Sequence, residues 1–298
     1  MPSDPVVVIG NFDGVHRGHV ELLRTARAAE PDAPLVVVTF WPHPMSVVRP
    51  DQAPPLLSSL PRRLELLREA GADDVVVVEF TAEVAGWSPA QFVDAVLRPL
   101  HPCRVVVGEN FRFGFRAAGS VATLAGLGAG SFAVQPVPLV TDGAQPSSST
   151  LIRHAVLEGD FGRVRELSDH PFRFTGVVVK GDQRGRLLGY PTANLPVAAG
   201  MAVPADGVYA GWVTRLDQAD APRWPAAISV GSNPTFDGVQ RRIESYVLDR
   251  DDLELYGVEI AVDFYARIRG QIRFAGMEPL IEQMHSDVEE IRHLLLAP

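Results

Sequence analysis

Val6-Val7-Val8-Ile9-Gly10-Asn11-Phe12-Asp13-Gly14-Val15-His16-Arg17-Gly18-His19 is the stretch on which the reading of the fold turns. Four consecutive β-branched residues read as a strand, and so continuous an apolar run suits a strand of a parallel sheet covered on both faces. Glycines at 10 and 14 permit close backbone turns. A helix beginning near His16 would then direct unsatisfied amides and a favourable field toward phosphate. His16 and His19 fall on neighbouring positions of that helical turn, able to donate hydrogen bonds to phosphate oxygens. Taken singly, Asp13 also reads as a helix cap and either histidine as an interior hydrogen-bonding group. The histidine spacing permits a metal as well, but no third local ligand accompanies it, so a nucleotide site is preferred.

Outward from this stretch, strand candidates at Leu35 to Phe40, Val75 to Phe80, Arg104 to Val107 and Ser131 to Val137 alternate with helical stretches, the pattern of an α/β domain. Leu60, Leu64, Leu67 and Ala70 recur at helical spacing, and Ser88-Pro89 offers an N-cap followed by proline at the first helical position. Gln145-Pro146-Ser147-Ser148-Ser149-Thr150 introduces a further helix, interrupted at Gly159-Asp160. The boundary is placed near Ser168 to Pro171, giving domains 1–168 and 169–298. Beyond it, short strand-like runs at Phe172 to Lys180, Gly207 to Arg215, Pro225 to Val230, Ile243 to Leu248 and Val258 to Arg267 predict an antiparallel barrel. Leu280, Ile281, Met284, Val288, Ile291 and Leu295 predict a terminal helix.

A chain of 298 residues suits two folding units. Its 46% hydrophobic and 21% charged content opposes wholesale disorder. A net charge of -9 and the absence of a sustained basic-aromatic face disfavour nucleic-acid binding. Cys103 is the only cysteine, which excludes an intrachain disulfide and fits a reducing cytoplasm. The uncharged run Ala117 to Thr141 is long enough for a membrane span, but its glycines and prolines make it a short helix, a turn and a strand. Neither a membrane nor a nucleic-acid partner is expected, and any self-association is expected to be weak.

In the second half, Gly176 to Leu195 holds glycine turns that let backbone amides approach phosphate, while the Thr192 hydroxyl and Asn194 amide oxygen are hard donors suited to Mg2+. Read structurally, the same stretch is a barrel hairpin followed by a polar turn. Glu244 shares one face of a predicted strand with Arg242 and Tyr246, where its carboxylate can accept a hydroxyl proton or simply meet solvent.

The first half closely resembles the FMN adenylyltransferase module of bacterial bifunctional riboflavin kinase/FAD synthetases. The motifs that carry this are Gly10 to His19, Pro42-His43-Pro44, Gly108-Glu109-Asn110-Phe111-Arg112-Phe113-Gly114 and Ser148-Ser149-Thr150-Leu151-Ile152-Arg153. The resemblance implies a Rossmann-like nucleotidyltransferase fold, with Gly10, Asn11, Phe12, Asp13 and Gly14 around the nucleotide. It implies that His16 and His19 contact ATP phosphates, that Asn110 arranges the nucleotide and flavin, and that Ser149, Thr150 and Arg153 lie opposite. His43 joins this set, although its proline-flanked setting also suits an extended loop. The implied reaction joins FMN to the α-phosphorus of ATP, releasing pyrophosphate and forming FAD, with Mg2+ as companion but no unambiguous cation cage in this half.

The second half resembles the riboflavin kinase module of the same family through Gly181, Gly185-Arg186, Gly189 to Asn194, Pro204 to Tyr209, Ser229 to Phe236 and Leu255-Tyr256-Gly257. This implies an antiparallel barrel kinase with a terminal helix, Thr192 and Asn194 as Mg2+ ligands, and Glu244 as general base. Gly181, Gly185, Arg186, Tyr190 and Pro191 would surround the nucleotide while ATP phosphorylates riboflavin. Two departures stand out: Phe115 replaces a histidine frequent after Arg-Phe-Gly, and Arg250 replaces an aromatic residue. They leave open a single-activity or altered-substrate enzyme, and a binding protein that retains pockets without turnover is the other alternative.

Overall fold

The computed structural model describes residues 4–142, 145–181, 189–235 and 238–296, and the chain divides into two compact units, Met1–Leu151 and Ile152–Pro298. In the first, β1 (Val6–Ile9), β2 (Leu35–Trp41), β3 (Asp74–Glu79), β4 (Arg104–Gly108) and β5 (Ala133–Val137) form a parallel sheet in the order β3-β2-β1-β4-β5. Side chains of a strand alternate between faces, and β1 accordingly feeds two cores. Val6 and Val8 share one with Leu23 and Ala26 of α1 (Arg17–Ala29) and Leu66 and Leu67 of α2 (Leu60–Glu69). Val7 and Ile9 share the other with Phe92, Leu97 and Leu124. This double cover is why the strands read as unbroken valine. It fails at β3, whose single neighbour in the sheet leaves it only partly buried.

From β1 the chain proceeds to β2 and β3 on one side of the sheet, then crosses to β4 and β5 on the other. The crevice beyond the carboxyl ends of β1 and β4 is therefore a topological switch point, the place where such sheets hold ligands. The uncharged run from Ala117 contributes helix Val121–Gly128 and β5. Among the described residues no helix is long and apolar enough to cross a membrane.

A two-stranded ribbon, β6 (Thr141–Asp142) with β7 (Gln145–Pro146), precedes α3 (Ser149–Glu158) and α4 (Phe161–Leu167). Phe161 of α4 stacks on Phe172 and Phe264 and meets Tyr209 edge-on, which ties α4 to the second unit. The division thus falls within the first turn of α3, between Leu151 and Ile152, whereas the junction read from sequence falls after α4.

The second unit's sheet holds β8 (Phe172–Val177), β9 (Thr192–Pro196), β10 (Gly207–Arg215), β11 (Arg223–Thr235), β12 (Gly238–Val247) and β13 (Glu259–Gly270). Their order is β8-β13-β10-β11-β12-β9, every pairing antiparallel. The sheet curls: just past β8, the Val179 amide donates to the Asn194 carbonyl at 2.9 Å, so its two edges meet as in a barrel. The terminal helix α5 (Met277–Leu296) sets Val288 and Ile291 in one core with Val208, Ala210 and Leu248, as its apolar spacing predicted. Arg269 of β13 also grips Asp287 of α5, its Nη2 2.7 Å from Oδ2.

Candidate active sites

In the first unit, β1 ends into a backbone that only a tight turn would tolerate. Phe12, Gly14 and Val15 have φ of 54°, 79° and 32°, and a Cβ on Gly10 would come within 2.9 Å of the Phe12 ring. Left-handed backbone at two non-glycine residues is costly and persists where surrounding structure holds it. That structure is a buried polar knot. The Asp13 carboxylate accepts from the amides of Leu57 and Ser58, each at 3.1 Å, from the Ser58 hydroxyl at 3.2 Å and from Arg63 at 3.3 Å. Arg63, fully enclosed, also donates to the carbonyls of Asn11 at 2.9 Å and Phe40 at 3.2 Å.

The knot presents the start of α1 to the crevice. His16 occupies the N-cap with no capping bond from its side chain, and no acidic residue stands in the first turn. Its ring stacks on that of His19 at 3.7 Å between centroids, and Phe12 meets His19 edge-on at 5.0 Å. Burial holds the His19 pKa well below the usual imidazole value, with repulsion from His16 and Arg63 adding to it. His19 is therefore neutral near pH 7, and its enclosed Nδ1 has no hydrogen-bond partner among the described residues.

A cavity of about 390 Å³ opens here, lined by Gly10, Phe12, His16, His19, Asn110, Ser149 and Thr150 among others. These candidates from β1, α1, the end of β4 and the start of α3 are brought together. Ser148 caps α3 through the Leu151 amide, and the Ser149 hydroxyl donates to the Asp13 carbonyl at 2.7 Å. Asn11, Asp13, Gly14 and His43 do not line the cavity. Asp13 and Gly14 are buried structural members of the turn, while His43 Nδ1 accepts from Met45 and caps helix Pro44–Val48. Arg153 lies on α3 beyond Thr150, half-buried. Sequence reading missed Arg63, whose helix-face position carries no sign of the buried knot it closes.

In the second unit, the Gly176 to Leu195 stretch, read structurally as a hairpin followed by a polar turn, runs into strand β9, whose backbone groups find their partners in β12. Asparagine is depleted in strands, which hid it. The register sets Asn194 opposite Glu244 and Thr192 opposite Tyr246. Directly paired residues share a face, so all four side chains leave the ribbon together. Asn194 Nδ2 lies 3.4 Å from Thr192 Oγ1, while Asn194 Oδ1 is enclosed and has no hydrogen-bond partner among the described residues. A Cβ on Gly181 would fall 2.6 Å from the Asn194 amide, so only glycine leaves that group its place.

A cavity of about 690 Å³ is lined by Gly181, Gly189, Pro191, Thr192, Asn194, Ser245 and Arg250 with apolar neighbours Val178, Leu255 and Tyr256. Glu244 lines a separate one of about 500 Å³ with Arg242, Gln271 and Arg273. The register pair thus stands between two concavities. Tyr190 is a core residue, edge-on to Tyr246 at 5.0 Å and packed with Val288 and Ile291. Gly185 and Arg186 lie outside the described residues. Of the two departures, Phe115 is half exposed beneath the Arg116 guanidinium, and Arg250 pairs with Asp252 at 2.6 Å while covering Trp224.

A parallel-sheet crevice with paired imidazoles at a helix start and, in the other unit, a curled antiparallel sheet with a carboxylate opposite oxygen donors suit an enzyme that transfers phosphate groups. The FAD synthetase family model matches residues 1–151 and the riboflavin kinase model residues 168–295. The chain belongs to the bacterial bifunctional riboflavin kinase/FMN adenylyltransferase family. The Escherichia coli K12 member is 34% identical over 287 residues, covering 95% of this chain and 90% of its own. The Listeria monocytogenes member is 35% identical over 298 residues, covering 96% and 91%. A Streptococcus pneumoniae crystal structure described as a macrolide-efflux protein has a TM-score of 0.87 at 33% identity, covering 98% of this chain and 95% of that one.

Proposed function

We propose that the chain phosphorylates riboflavin to FMN in its second unit and adenylylates FMN to FAD in its first, each time from ATP. The observation that carries the kinase reading is the Asn194–Glu244 pair. Opposed residues on neighbouring antiparallel strands hold their Cβ atoms about 5 Å apart, which sets a proton acceptor beside an oxygen-donor site. The terminal ribityl hydroxyl attacks the γ-phosphorus: an O–P bond forms, the bond to the β-phosphate oxygen breaks, ADP leaves and Glu244 takes the hydroxyl proton. Asn194 Oδ1 and Thr192 Oγ1 suit Mg2+, because both are hard oxygens and the amide oxygen is enclosed without another partner among the described residues. The ion would supply screening of phosphate charge; Gly181, lacking a Cβ, leaves the Asn194 amide room to hold its place.

In the first unit the nucleophile is an FMN phosphate oxygen, which needs no side-chain base. It attacks the α-phosphorus of ATP, a P–O bond forms, the bond to the β-phosphate oxygen breaks and pyrophosphate leaves. Positioning and charge stabilisation are then the work of the chain. His16, His19 and the start of α1 face the triphosphate, Asn110 orients the flavin nucleotide, and Ser149, Thr150 and Arg153 flank the phosphates. Asp13 acts at one remove, by fixing the turn. The reading also keeps the chain in the cytoplasm, as its single cysteine suggests.

Separate incubations test it. With ATP and Mg2+, riboflavin is expected to give FMN and ADP, and FMN to give FAD and pyrophosphate. Failure of either conversion over a broad range of conditions removes the corresponding unit's assignment.

A further inference from the structure

We infer that Ser245 is a nucleotide-contacting residue of the kinase site, its hydroxyl donating to an oxygen of bound ATP. The inference rests on the kinase reading above. On β12, Ile243 and Val247 form a buried apolar row at 0% and 4% exposure, and Ser245 interrupts that row at 1%. Its Oγ is enclosed and has no hydrogen-bond partner among the described residues. A hydroxyl in that state has given up water without replacement, which disfavours the free protein.

Location supplies the reason. Ser245 lines the cavity of about 690 Å³ that also holds Thr192 and Asn194. The Asn194 Oδ1 is enclosed and partnerless among the described residues as well, so two such oxygens border one cavity. Ser245 pairs with Ala193, one strand step from Asn194, a rise of about 3.3 Å. Its side chain leaves the opposite face of the ribbon from Thr192 and Asn194, and the three residues meet in the wall of the one cavity that they all line. Thr214 provides the contrast. Its Oγ1 is enclosed and partnerless among the described residues too, on a residue 7% exposed, but it lines none of the cavities described above.

Full-length Ser245→Ala and Thr214→Val proteins separate a ligand contact from a mere buried hydroxyl. Riboflavin phosphorylation is measured at saturating riboflavin against ATP concentration, with FMN adenylylation as an internal control. Ser245→Ala is expected to raise the ATP KM of phosphorylation about five- to tenfold with kcat retained, the signature of a contact made equally in ground and transition states. Its Tm should be at or above the parent's and its adenylylation unchanged, while Thr214→Val keeps the parental ATP KM. An unchanged KM in Ser245→Ala, or an equal rise in Thr214→Val, overturns the inference. A parent protein that forms no FMN from riboflavin fails earlier, at the kinase reading itself.

Discussion

With its pKa held low by burial and by the neighbouring His16 and Arg63, His19 is neutral near pH 7. In the unfolded chain the same imidazole titrates at about 6.5, so in acid the unfolded state takes a proton that the folded site refuses. Its contribution to stability is therefore fully present above the unfolded value and lost as pH falls from there through the lower folded value. A His19→Gln protein should lose less Tm than the parent between about pH 7 and pH 5, the window set by that unfolded value. Equal losses in the two melts would show that His19 does not carry the effect. Glu244 is tested by chemistry instead. Its amide counterpart cannot accept a proton, so Glu244→Gln should lower kcat for riboflavin phosphorylation by about 100- to 10,000-fold, with Tm little changed. Parental turnover at equal folded concentration rejects the general-base role.

Among the elements, the β1–α1 turn and α2 form one device. Arg63 of α2 and Asp13 of the turn are enclosed at 0% and 1% exposure, and their ion pair sits among four further bonds to the Asp13 carboxylate. Removing one partner of such a pair strands the other charge, which costs about 3–5 kcal/mol. Asp13→Ala should lose that much in urea unfolding of the first unit, and adenylylation should fall more than phosphorylation. A loss below about 1 kcal/mol would mean that the turn is held by something else. Local signals at this scale were legible: Ser88, an N-cap on the sequence, caps its helix with a full capping box to Gln91. Strand β9 was not legible, because a polar Thr-Ala-Asn run becomes a strand only when β12 supplies its hydrogen bonds.

For the whole molecule, the two sites are built from different units, so single substitutions should silence one activity at a time. From riboflavin and ATP, His16→Ala should accumulate FMN, with FAD formation reduced at least about tenfold by loss of a phosphate-directed donor and phosphorylation retained. Glu244→Gln should show the converse, forming FAD only when FMN is supplied. Quantifying both flavins by chromatography reads the two outcomes together, and a joint collapse in a folded His16→Ala protein contradicts separate sites.

The sequence by itself determined the α/β pattern, the antiparallel second half, the terminal helix and the motifs that carry the family resemblance. Each is a local property of spacing, turn residues or helix starts, and short-range sterics and amphipathic periodicity write such properties into neighbouring residues. Only the tertiary structure decided how the motifs divide. His16 and His19 face the cavity while Asp13 turns inward to Arg63. Likewise Asn194 meets Glu244 because two strands distant in sequence pair in one register, which turns Ser245 to the other, buried face. Those outcomes depend on which distant groups share a desolvated space, and the burial and electrostatics of that space arise only once the chain has closed around it.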